Sequence, residues 1–210
     1  MKGGKGRVIQ MMSPENYIKQ RARSLPVYEC LVNTDWEDSK MANVIVTRKH
    51  TNSNVSLCIY LVDLFCLGVK DTLWHFNMPL HEYSNMISEI EEQMELKPIS
   101  YCLAHNIIFA AVDFAEEYGF QPHRDFTSIT CFMLEEDTED IELIDIECGM
   151  EGKPAYMRSP GHSKQESERI IATLERNAGP GNYFFFDEPE KNESIYGEAS
   201  YNDDPDDNDP

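Results

Sequence analysis

The sequence predicts an α+β fold: a small antiparallel sheet built from hairpins, packed against a central buried helix and two or three amphipathic helices. Three observations predict it. Residues 42–63 hold two β-rich runs, "ANVIVTRK" and "VSLCIYLVD", joined by "HTNSN", a connector whose Asn and Ser tolerate turn conformations. Residues 98–120 place Ile99, Leu103, Ile107, Ala110 and Phe114 at three- or four-residue steps, with Gly119 where a helix C-cap belongs. Two further stretches, "EYSNMISEIEEQM" and "SKQESERIIATLERN", carry amphipathic helical patterns.

The elements follow in order. Residues 1–13 are rich in Gly and Lys and read as a disordered basic leader. Ser13 caps a short helix to about Ala22, with Pro14 at its first position. "LPVYECLVN" is a strand and "TDWEDSKM" a polar loop. The hairpin of residues 42–63 comes next, with Val55, Leu57, Ile59 and Leu61 alternating on what should be the core face. After Gly68, "VKDTLWHFN" is a third strand, and Pro79 ends it. The helix that follows groups Tyr83, Met86, Ile87 and Ile90 on one side. The 98–120 helix is apolar around most of its circumference and is expected at the centre of the domain. "PHRDFTSITCFMLEE" fits a short helix or a strand. "IELIDIECGMEGKPAYM" reads as a hairpin turning at residues 149–152, with a bulge near Leu143–Ile144. Ser163, with Glu166 three residues on, caps the last helix. "GNYFFFDE" is a docking strand or an aromatic linear motif. From Asp187 the chain holds ten acids and one Lys, a composition that predicts disorder. The expected organisation is a leader at 1–13, one α+β domain at 14–186 and an acidic tail at 187–210.

The 210 residues carry 18 basic and 38 acidic side chains, a net charge of −20. Residues 1–50 hold nine Lys and Arg against five acids, so the remainder is the more acidic part. A field of that sign repels nucleic acid, and only the basic arm at 1–23 could touch phosphate. None of the six cysteines stands in a C-x-x-C pair and most lie among apolar neighbours, the pattern of reduced, buried thiols. No signal-peptide h-region follows the basic N-terminus, and every apolar run is interrupted well short of the roughly 18 residues a membrane span needs. These features predict a soluble, cytoplasmic chain. No phosphate loop, G-x-S-x-G elbow or H-E-x-x-H motif is present; the sequence leaves the cofactor unknown and assigns no metal site.

Four polar groups are candidates for chemistry. Arg48, Lys49 and His50 at the hairpin tip would face an anion, or form an ordinary solvated turn. Asp63 follows the apparent core phase of its strand, so its carboxylate needs a partner such as Lys70 or Arg48, unless the strand ends there and it caps a turn. Asp71 follows directly. His105 and Asn106 interrupt the apolar helix and must be hydrogen-bonded wherever they are buried. His123 and Asp125 form a His-x-Asp pattern found in metal and general-base sites and also in plain polar loops.

The blocks "RKHTN", "YLVDLFCLGVKD", "AHNII" and "GFQPHRDF" resemble those of an uncharacterised bacterial family found widely in the Bacteroidota, over residues 21 to 158. The resemblance implies that Arg48, His50, Asp63, Lys70, Asp71, His105, Asn106, His123 and Asp125 belong to the family's pattern, and it assigns them no roles. The chain departs from that pattern at Asn52-Ser53, where related turns often read Asn-Gly.

Two readings result. The favoured one is a cytoplasmic binding or regulatory protein of unknown partner, a protein in preference to nucleic acid. Its acidic tail would serve solubility, steering or nucleic-acid mimicry, and its binding residues are drawn from Arg48, His50, Lys70, Asp71, Asn106 and Asp125. The alternative is a small hydrolase or nuclease-like enzyme. There His50, His105 and His123 supply acid–base catalysis, Lys70 and Arg48 stabilise an anionic oxygen, and Asp63 and Asp125 orient a histidine or hold a metal.

Overall fold

The computed structural model describes residues 12–138, 140–158 and 161–187. The expected leader and tail therefore lie outside the described residues, apart from residues 12, 13 and 187. The described chain is α+β, with a five-stranded antiparallel sheet in the order β4-β3-β2-β1-β5. Its strands are β1 (Val27–Asn33), β2 (Met41–Lys49), β3 (Val55–Asp63), β4 (Gly68–Met78) and β5 (Leu96–Ile99).

Local chemistry sets most of the boundaries. Helix α1 (Pro14–Arg21) starts where the Ser13 hydroxyl accepts the Asn16 N–H, with Pro14 at its first turn. The loop between β1 and β2 contains one helical turn, α2 (Trp36–Ser39), which carries Trp36 into the core. The β2–β3 turn puts Ser53 at φ 70°, a left-handed conformation that costs Gly nothing. An Asn-Gly pair would fit that geometry better than Asn52-Ser53 does. Helix α3 (Leu80–Glu91) lays Tyr83, Met86, Ile87 and Ile90 on the sheet, as its periodicity predicts.

The sheet is covered on both faces, and this corrects the reading of β3. The larger core lies on the even-numbered phase, where Cys58, Tyr60 and Val62 meet Val44, Val46 and the inner side of α4 (Tyr101–Glu117). Val55 and Leu57 lie on the opposite face under α3, with Ile59 partly buried beside them. A strand buried on both faces loses the apolar-polar contrast from which a core face is read. Each fully buried Val, Leu or Ile contributes about 1.5–3 kcal/mol, and both layers hold several.

Helix α4 begins later than its apolar pattern suggests. Residues 96–99 pair with β1 as β5, and the Ser100 hydroxyl caps the helix by accepting the Leu103 N–H. "PHRDFTSITCFM" is helical, as α5 (Arg124–Ser128) and a 3-10 turn at Thr130–Met133. The hairpin expected at 141–157 does not form. Residues 142–148 belong to no strand or helix, Met150 and Lys153 make an isolated bridge, and β6 (Ala155–Met157) pairs in parallel with β7 (Phe184–Phe186). Thus "FFF" is a docking strand. Just before it, Tyr183 packs with Ile170 and Ile171 of α6 (Lys164–Asn177) around Tyr156, Leu174 and Cys66. The β3–β4 turn anchors this C-terminal layer: Gly149 N–H donates to Leu64 O at 2.7 Å and Ala155 N–H to Phe65 O at 3.1 Å.

Candidate functional site

Arg48 lies on the α4 side of β2 and is 1% exposed. All three of its guanidinium nitrogens are used. Nε donates to Met133 O at 2.8 Å and Nη1 to Leu25 O at 2.7 Å and Arg23 O at 3.3 Å. Nη2 donates to both carboxylate oxygens of Glu135, at 2.8 and 2.7 Å. The guanidinium also lies over the Tyr101 ring, 5.5 Å from its centroid. The Tyr101 hydroxyl accepts the Glu135 N–H at 2.8 Å. Burial pushes the Glu135 carboxyl upward, but its contacts with Tyr101 and Arg48 outweigh this and hold it below the usual range. Arg48 was expected at an exposed tip. It is instead an internal staple joining β2, the segment 23–25 that leads into β1, and residues 133–135.

Beyond that staple, residues 134–138 and 140–148 form a strap held by side chains rather than by strand pairing. Arg23 binds Leu134 O and, at 2.7 Å, the Glu136 carboxylate. His105 is buried, stacks on Phe109 at 4.4 Å, and places Nε2 3.2 Å from Glu135 O. Its Nδ1 lies 4.0 Å from the Asp137 carboxylate. The Asn106 amide donates to Glu142 O at 3.0 Å and to Cys102 O at 2.8 Å, and its oxygen accepts the Ile144 N–H at 3.0 Å. Lys40 reaches the carbonyl and the carboxylate of Glu147 at 3.1 and 3.0 Å. His105 and Asn106 are thus satisfied polar groups of a buried helix, as the hydrogen-bonding requirement demands.

Asp63 is buried and does two things. Its Oδ1 accepts the N–H groups of Phe65, Cys66 and Leu67 at 2.9, 3.0 and 3.3 Å, while Oδ2 lies 3.9 Å from Lys70 Nζ. Both readings of the sequence therefore meet in one residue: the strand ends there, the carboxylate caps the turn, and Lys70 is its charge partner. Burial dominates and pushes the Asp63 carboxyl up, against the pull of the Cys66 N–H, Lys70 and the other turn amides. Lys70 is the extra residue of a bulge between the Val62–Val69 and Leu61–Asp71 pairs. Asp71 is exposed and accepts the Thr72 N–H at 2.7 Å.

The remaining candidates stand apart. His50 Nε2 lies 2.7 Å from Ser56 Oγ, and its ring packs on Tyr17 and Phe76. Burial lowers the pKa of His50. The spacing suits a nucleophile and its base, but Ser56 is 1% exposed and also accepts the Asn77 N–H. The pair therefore serves as an interior hydrogen bond. His123 donates its N–H to Val69 O and caps α5 by accepting the Asp125 N–H on Nδ1. Asp125 meets Arg124 at 3.4 Å.

The fold therefore brings together Asp63 with Lys70, and Arg48 with His105 around Glu135. His50 and His123 each sit in separate surroundings and share no partner with His105 or with each other. Sequence reasoning missed Tyr101, Glu135, Ser56 and the Tyr156–His162–Ser167 relay, whose hydroxyl and ring contacts are each 2.9 Å. No local pattern marks residues that meet across more than thirty positions, as Tyr101 and Glu135 do. The Tyr156 relay carried a partial signal, because His162 precedes the Ser163 cap and Ser167 follows one turn later.

Among the described residues, no group of three His, Cys, Asp or Glu side chains is placed to hold a metal ion, and no helix is long and apolar enough to cross a membrane. All six cysteines are free thiols. Burial pushes Cys30 up to about 12 and Cys148 up to about 11, so neither is a thiolate at neutral pH. Comparison of the chain with protein-family models, with curated proteins and with solved structures finds no match.

Proposed function

We propose that the chain is a cytoplasmic binding or regulatory protein whose partner is a protein, and that the strap is the surface it presents. The observation that carries this reading is the form of the strap. Its inner side chains, Ile144, Ile146 and Cys148, are half-buried, while Glu142, Leu143, Asp145 and Glu147 point outward and Leu143 is 89% exposed. An exposed leucine flanked by carboxylates on a pinned segment suits a basic partner with an apolar pocket. Asp113, Glu116 and Glu117 on α4 add to the field, and burial together with these neighbours and Asp137 pushes the Asp113 carboxyl up. Of the polar residues first considered for chemistry, Arg48, His105 and Asn106 are occupied in holding this surface in place. The bacterial family resemblance and a role for the acidic tail in steering a basic partner belong to the same proposal.

The test is capture of partners from bacterial cytosol by the full chain and by a Leu143→Ser/Asp145→Asn variant that retains its circular dichroism. A basic protein retained by the first and lost by the second, in a nuclease-resistant and salt-sensitive way, is the expected result. Identical capture by both chains would overturn the assignment of the strap.

A further inference from the structure

We infer that the outer edge of β4 is an interface for a second copy of this chain, paired antiparallel about a two-fold axis at Leu73. The argument starts from which backbone groups face outward. Leu64 N–H donates to Lys40 O and His50 N–H to Asn54 O, so the even-numbered residues of β3 bond toward β2 and the odd-numbered ones toward β4. Leu61, Ile59 and Leu57 stand opposite Asp71, Leu73 and His75. The N–H and C=O groups of Thr72 and Trp74 therefore point away from the sheet. Thr72 N–H is held by the Asp71 carboxylate. The Thr72 carbonyl and both backbone groups of Trp74 have no hydrogen-bond partner among the described residues.

Edge strands of soluble proteins are ordinarily guarded by bulges, prolines or inward-pointing charges. Here bulges guard the two ends, and the His123 N–H covers the Val69 carbonyl just beyond the first of them. One falls at Lys70, and the other lies between the Leu57–His75 and Val55–Met78 pairs. Between them Asp71–His75 is a regular five-residue window with Leu73 at its centre, 54% exposed.

The bulges also select the register. A two-fold axis at Leu73 maps the window onto itself, pairing Thr72 with Trp74 of the second copy through two hydrogen bonds on each side of the axis. An axis one residue later would run Asp71 into the bulge at Asn77. In the selected register the two Leu73 side chains meet at a non-hydrogen-bonded position, where Cα atoms approach to about 4.5 Å. Asp71 faces His75 of the second copy on the same side of the sheet, a complementary polar pair. On pairing, the Asp71 carboxylate exchanges its own-strand N–H for that imidazole, and Thr72 N–H is freed to donate to the second copy's Trp74 carbonyl.

Light scattering of the full chain over a range of concentrations tests this. The expected result is a mass rising from 24.2 kDa toward twice that value. Leu73→Asp sets two carboxylates against each other at the axis and returns the chain to the monomer mass. Leu73→Cys, oxidised, gives a covalent dimer whose linkage maps to position 73, which decides the matter should the aspartate variant fail to fold. A monomer mass at every concentration overturns the proposal. So does a dimer indifferent to Leu73→Asp, or an oxidised cysteine variant with no linkage at 73.

Discussion

Arg48 and Glu135 stand 87 positions apart in the chain and meet as a two-pronged pair, with both carboxylate oxygens within 2.8 Å of one guanidinium nitrogen. The arginine is buried and the glutamate half-exposed, so the pair closes the interior like a plug, its charged end toward solvent. Glu135 is reachable by solvent, whereas Arg48 without it is a buried cation facing only carbonyls.

Arg48→Met is expected to destabilise the fold by about 3 kcal/mol, the order found when one member of a buried pair is removed. Three carbonyl oxygens and the Glu135 carboxylate lose their donors together. Arg48→Lys should recover little, because one ammonium cannot reproduce the fork. Urea unfolding of the three proteins checks both statements.

Asp63 gives a prediction with a definite sign in pH. Its folded pKa is raised, so its contribution to stability is fully present below its unfolded value, about 3.9, and is lost as pH rises through the folded value. Asp63→Asn keeps an oxygen for the three turn amides and removes the buried charge. It should gain stability relative to the natural chain as pH rises from 4 toward 7. Asp63→Ala leaves three N–H groups unpaired and should lose about 2 kcal/mol or more at any pH. Thermal unfolding across pH separates the two variants; an asparagine variant that falls further behind with rising pH would show that the charge itself is required.

Glu135 has the opposite sign. Its folded pKa is depressed, so its contribution is present above the unfolded value, about 4.3, and disappears as pH falls through the folded one. Acid unfolding of Glu135→Gln should therefore show a shallower loss of stability below pH 4 than the natural chain shows.

Gly68 takes φ 66°, and a Cβ there would lie 2.9 Å from the Ala115 Cβ and 3.1 Å from the Ala111 carbonyl oxygen. Gly68→Ala should cost about 2–3 kcal/mol, from left-handed backbone strain together with overlap against α4. Ala115→Gly in the same chain should return only the part due to overlap with the Ala115 Cβ, which a double-mutant cycle by chemical denaturation would measure.

The Asn106 amide is the clamp on the middle of the strap, and the Ile144 N–H is bonded to its oxygen. Asn106→Ala should speed hydrogen exchange at Ile144 by about 10- to 100-fold, the equivalent of a lost buried hydrogen bond of about 1–3 kcal/mol. Amides in β2 and β3 should keep their protection. Uniform acceleration through the sheet would mean that the strap is not a separable element.

Much of the fold was legible because local rules set it. The Ser13 and Ser163 caps, the β2–β3 hairpin and the Tyr83–Ile90 stripe each depend on residues within a few positions of one another. β5 was not legible, since Leu96–Ile99 holds Lys and Pro and becomes a strand only by pairing with β1. Residues 141–148 read as half of a hairpin for a related reason: their apolar-polar alternation is real, but Asn106 of α4 and Lys40 take the place of a partner strand. The candidate residues were sound as a list of polar groups needing partners, and the identity of those partners was not visible in their neighbourhoods.

The sequence by itself determined the α+β class, the placement of most helices and strands, and that Asp63, His105 and Asn106 had to be hydrogen-bonded wherever they became buried. Those outcomes follow from short-range periodicity, capping and the cost of desolvating a polar group. Only the tertiary structure decided that Arg48 is interior, that Asp63 caps a turn while pairing with Lys70, and that His50, His105 and His123 each bond to different partners. Each of these depends on which distant segment packs against the sheet, and long-range packing is a property of the assembled fold rather than of any window of the chain.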